Sequence, residues 1–133
     1  MEWMSAAAVF VGGGLGAVLR YYLERFLAPR RTSDALISAV FVINVLGSLA
    51  LGIVGAAVNV LGGQDAVAYA GLSLGLLGGF TTFSTAMVEA VQALLAGRYA
   101  RFVMLWLVPT TLSLLVIIKG YKAAAAVFLA VFS

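Results

Sequence analysis

The chain has 133 residues, of which 64% are hydrophobic and only 10% charged, whereas a soluble domain carries about 25% charged residues. Five acidic and eight basic residues leave a net charge of +3, and there is no cysteine or histidine; disulfides, Cys or His metal sites and Cys- or His-based nucleophilic catalysis are excluded. No basic stripe is long enough to form a nucleic-acid surface, and the composition predicts an all-α integral membrane protein whose solvent is lipid.

Each membrane span needs about 20 mostly apolar residues. The chain reads as a single transmembrane domain over residues 1–133, with helices near 3–26, 36–61, 66–96 and 102–122. The first span resembles a signal peptide in its apolar core, but the residues before that core include Glu2 and no basic residue. It is therefore read as a retained helix. Arg20 and Glu24 lie in its last turns, four apart and so on one face. The polar segment Ala28-Pro29-Arg30-Arg31-Thr32-Ser33-Asp34 reads as a loop, with Ser33 or Asp34 placed to cap the next helix.

The second span is uncharged from Ala35 to Gln64. It carries one mid-span amide, Asn44, followed by Gly47 and Ser48, and a second amide, Asn59, near its far end. Gly62-Gly63-Gln64-Asp65 reads as a turn.

The third span is long. A straight helix of about 31 residues would reach about 46 Å, against roughly 30 Å of hydrocarbon. Its middle reads Gly78-Gly79-Phe80-Thr81-Thr82-Phe83-Ser84-Thr85, a poor helix former, and a break is predicted near 78–82. A break at membrane depth frees backbone groups, which are tolerated only where they are buried in protein or face water or an ion. Broken spans thus mark ion or substrate sites. Gly71 and Gly75 have the four-residue spacing of close helix packing.

A basic loop, Gly97–Arg101, leads to the fourth span, which contains Pro109, Thr110, Thr111 and Ser113 and is expected to end near Lys119 and Lys122. The apolar tail 123–133 is too short to span; it either extends that helix or lies at the interface. Arginines are concentrated in the first and third loops, while the other side carries Lys119 and Lys122; the modest bias favours a cytoplasmic side for the first and third loops and leaves the reverse orientation open in a multi-pass protein of the plasma membrane.

Several residues are candidates for chemistry. Asn44 at mid-span either bonds a neighbouring helix or donates to a permeating anion. Phe80 and Phe83 are either packing residues or aromatic edges, whose positive rim, with hydroxyl donors, replaces part of an anion's water shell. Arg20 either snorkels or lines a vestibule that concentrates anions. Glu89 needs a proton or a partner beside an anion path. Thr110, Thr111 and Ser113 either form a polar track or bond back to their own helix. No nucleophile, base and oxyanion set converges, so an enzyme is not expected.

Taken together, Gly-Ala-Val-Leu-Arg (16–20), Asn-Val-Leu-Gly-Ser (44–48) and Gly-Gly-Phe-Thr-Thr-Phe-Ser-Thr (78–85) resemble the motifs of the CrcB/Fluc family of small dual-topology fluoride channels. Glu89 also falls at a family position. The resemblance implies an antiparallel dimer, formed with a second copy or a paralogous subunit, that exports fluoride passively through pores at its interface. It implies a sodium ion at the dimer axis, held by backbone carbonyls of Gly78 and Thr81. Asn44, Phe83, Ser84, Thr85 and Ser113 carry over as pore residues, Arg20 as a vestibule residue, and Glu89 and Thr110 as a polar track. The chain departs from the family pattern at Ala86, where a second pore phenylalanine is usual. Leu105 and Pro109 replace a tyrosine and a serine, and Val40 replaces a hydroxyl residue. These departures fall on the ion path and leave open a partly conducting or non-conducting subunit of a heterodimer. A small multidrug-type exporter is the other alternative, but it needs a deep acid in the first span, where none lies between Glu2 and Glu24.

Overall fold

The computed structural model describes residues 2–27, 38–61 and 66–132. The loop with Ser33 and Asp34 and the turn at 62–65 lie outside the described residues. Four helical segments among those described are long and apolar enough to cross a membrane. They are α1 (Glu2–Leu27), α2 (Ala39–Leu61), a composite third span and α6 (Tyr99–Phe132). The third span begins as α3 (Ala66–Tyr69), widens into a π-helical stretch over Ala70–Leu77, and returns to a short α4 (Gly78–Phe80). Two extended residues follow, and then α5 (Phe83–Leu95).

The two most extensive helix pairings are α2 with α6 and α1 with the π-helical stretch. The second is made by glycines. A Cβ added at Gly16 would sit 2.1 Å from Leu76 O, one at Gly12 would sit 2.3 Å from Gly71 O, and one at Gly79 would sit 2.3 Å from Gly13 O. Backbones touch there with no room for a methyl group, the small-residue packing that lipid-embedded helices use for van der Waals contact. Gly12 faces Gly71 while Gly16 faces Leu76 and Phe80, so α1 and the first half of the third span run in the same direction.

The break falls at Thr81 (φ −84°, ψ 153°) and Thr82 (φ −147°, ψ 120°). Glycines weaken the helix before it. Both the amide and the hydroxyl of Thr81 donate to Leu77 O at 3.0 Å and close α4. The Thr82 hydroxyl then accepts from the Thr85 amide at 3.4 Å and starts α5 as its N-cap. Extended residues rise more than helical ones, so the break does not itself shorten the span.

The last helix is longer than the sequence predicts: α6 begins at Tyr99 and continues past Lys122 to Phe132. Four consecutive alanines, Ala123–Ala126, follow Lys122, and alanine is the strongest helix former. Pro109 is accommodated inside this helix.

Candidate functional site

Asn44 on α2 reaches the break directly. Its Nδ2 donates to Thr82 O at 2.8 Å, and its Oδ1 accepts from the Thr82 amide at 2.8 Å. Gly47, one turn further along α2, permits the approach, because a Cβ there would lie 2.3 Å from Thr81 Cγ2. Around the N-cap the hydroxyls form a cluster: Thr82 Oγ1 is 3.2 Å from both Ser84 Oγ and Thr85 Oγ1.

Beside this cluster, α2, the third span on both sides of its break and α6 wall a cavity of about 440 Å³. Asn44, Gly78, Thr81, Phe83, Thr110 and Ser113 all line it. Ser84 and Thr85 do not; they share the hydroxyl cluster with Thr82. Arg20 and Glu89 are half-buried and stand outside its wall. The Thr110 hydroxyl bonds back to Trp106 O at 2.8 Å, the ordinary habit of a helical threonine. Ala86, Leu105 and Pro109 also line the cavity, whereas Val40 is buried away from it. A second hollow of about 510 Å³ adjoins the first at Leu51, Ser73, Leu74 and Ile117 and ends at Tyr121 and Lys122. At that end Asn59 Nδ2 donates to the Tyr121 hydroxyl.

The described lining of the 440 Å³ cavity contains no charged residue. Its polar surface is an amide, hydroxyls and backbone exposed at the break. Such a surface exchanges hydrogen bonds with an ion that has shed water without binding it as a fixed charge does. Phe83 is 65% exposed on the single chain, and its ring borders the cavity where the wall is open. No group of three or more His, Cys, Asp or Glu side chains is gathered among the described residues.

Two residues of consequence were not singled out from the sequence. Thr82 is the pivot of the break, with its side chain as N-cap and its backbone paired to Asn44. Its legible signal was a threonine directly before the restart of an apolar helix. Tyr121, beside the basic end of the fourth span, gave no comparable signal.

Comparison with known proteins agrees with the architecture. Residues 7–121 match the family model described as CrcB-like protein, Camphor Resistance (CrcB). A protein of Methylobacterium nodulans named fluoride-specific ion channel FluC is 38% identical over 97 residues, covering 73% of this chain and 77% of the relative. One of Cutibacterium acnes, named fluoride-specific ion channel FluC 2, is 43% identical over 91 residues, covering 68% and 72%. One of Phocaeicola vulgatus, again named fluoride-specific ion channel FluC, is 35% identical over 98 residues, covering 74% and 79%. With the matching family model spanning most of its length and four membrane-crossing segments in place, this chain belongs to the CrcB family as a multi-pass membrane protein.

Proposed function

We propose that this chain is a fluoride-selective channel that releases fluoride from the cytoplasm by passive electrodiffusion. The observation that carries the reading is the uncharged cavity at the helix break, which Asn44, Phe83 and Ser113 line. A small, strongly hydrated anion needs donors to replace its water and must still leave quickly. Amide and hydroxyl donors with an aromatic edge meet both needs.

The cavity is walled by one chain and open at Phe83, so a second subunit completes the path. An antiparallel pair of identical chains is the simplest assembly. A sodium ion at the break belongs to the same reading, and the backbone fits it. In a continuous helix the Thr82 amide would bond Gly78 O and the Thr85 amide would bond Thr81 O. Here the first amide goes to Asn44 Oδ1 and the second to Thr82 Oγ1. Gly78 and Thr81 are thus the residues that would hold the ion through carbonyl oxygens, the hard donors that group I and II cations take. When bound, sodium supplies positive charge beside an otherwise uncharged path and ties the break down.

Fluoride efflux from liposomes containing this chain alone, with chloride efflux measured alongside, tests the proposal. Fast fluoride release without chloride release is expected. One observation favours a second reading: Ala86, Leu105 and Pro109, the departures from the family pattern, all line the cavity. If well-folded protein releases nothing, the chain is the weaker half of a heterodimer, and release returns only with a paralogous subunit added.

A further inference from the structure

We infer that Asn44 and Thr82 form a latch that holds the third span broken, making Asn44 a positioning residue for the cation site as well as part of the cavity wall. The inference rests on the sodium reading above and adds to it a device on a different helix.

The argument begins with the backbone. Thr82 is extended, with φ −147° and ψ 120°, and an extended residue presents its amide and carbonyl to a neighbour as a strand does. No strand lies beside it among the described residues. The Asn44 carboxamide takes that place, since one such group carries both an acceptor and donors and can pair with the amide and the carbonyl together. Both bonds are 2.8 Å and join residues 38 apart in sequence. Thr82 is only 9% exposed, so water is a poor substitute for either bond.

The consequence falls on Gly78. The Thr82 amide is the group that would close onto Gly78 O if the helix ran through. Asn44 Oδ1 holds that amide and keeps the carbonyl available. Without the side chain, a buried amide and a nearby carbonyl are left to pair with each other, and the helix mends at the cost of a cation ligand. Asn44 Nδ2 has a second hydrogen, and the residue borders the cavity, so one side chain serves both the break and the path.

The test uses the full chain in detergent, with sodium chloride titrated against N-methyl-glucamine chloride. Asn44→Leu, similar in size and uncharged, removes both bonds. It should raise the sodium concentration for half-maximal thermal stabilisation about tenfold or more, as loss of a group that orients metal ligands does. Ser113→Ala, which alters the cavity wall away from the break, should lower flux and keep the wild-type sodium midpoint. A merely structural role for Asn44 would lower the melting temperature equally in both salts. A wild type indifferent to sodium overturns the cation site itself. A sodium-responsive wild type whose Asn44→Leu variant responds at the same concentration overturns the latch alone. Should that variant fail to fold, hydrogen exchange on the wild type decides: the Thr82 amide should exchange slowly, and exchange at the rate of an unbonded amide overturns the latch.

Discussion

Along α1 the third span is packed backbone against backbone, whereas along α2 and α6 it stands off a cavity of about 440 Å³. The same stretch of chain therefore has a face with no tolerance and a face with room. The glycine face derives its hold from close approach, the main source of helix association where lipid is as apolar as the side chains. The cavity face is organised by a few polar groups, above all the paired backbone of Thr82. Scaffold and ion path are thus separable, and substitutions on the two faces should fail in different ways.

The largest effect is expected on the glycine face. Gly16→Ala would bring a methyl group to 2.1 Å from Leu76 O and 2.8 Å from the Phe80 amide. Both contacts are backbone, which cannot swing aside, so the helices must separate. A cost of about 3 kcal/mol should appear as a loss of folded protein in detergent and of all transport. Gly14→Ala is the control, since no atom of the described residues lies within 4 Å of an added Cβ there. Equal yields for the two variants would break the division between the faces.

On the cavity face, function should fall while the fold survives. Phe83→Ile removes a ring that is 65% exposed on the single chain, and Asn44→Asp removes the donors while keeping the size. Each should reduce fluoride efflux to the level of empty liposomes; the Phe83 variant keeps its folded yield, while the Asn44 variant also loses the bond to Thr82 O. Undiminished efflux in both would remove these residues from the path. A smaller, opposite change is expected from Ala86→Phe. Residue 86 borders the cavity, so an added ring has space and contributes a positive edge to the path. Fluoride efflux should rise a few-fold, and no change would mean that a ring at position 86 does not reach the path.

The break was the most legible feature of the sequence, because two adjacent glycines followed by hydroxyl residues oppose helix by local propensity. The span count followed from composition. The π-helical stretch over Ala70–Leu77 was not legible. Gly71 and Gly75 announced close packing, but the widened turn has its neighbours in α1, a register that local sequence does not encode. Thr82 does not stand out beside Thr81, Ser84 and Thr85, since its part is played largely by backbone atoms that every residue has. Arg20 and Glu89 stand out as charges in an apolar chain, yet both lie outside the cavity wall. Charge reports cost at membrane depth, and it does not by itself say which cavity a side chain serves.

The smallest effect concerns the far end of α2, where Asn59 donates to the Tyr121 hydroxyl. This bond joins the two helices that flank the cavity but lies beyond the cavity's own wall. Tyr121→Phe deletes the hydroxyl and keeps the ring, which packs near Gly55. Hydrogen bonds between membrane helices contribute about 0.6 kcal/mol on average, because the separated helices find other partners. A shift of about that size in an unfolding titration is expected, with fluoride efflux unchanged. If efflux falls with the same small loss of stability, the second hollow, which Tyr121 lines together with Lys122, is part of the ion's route. The path would then extend along α6 well beyond the break, and the glycine face alone would remain as scaffold.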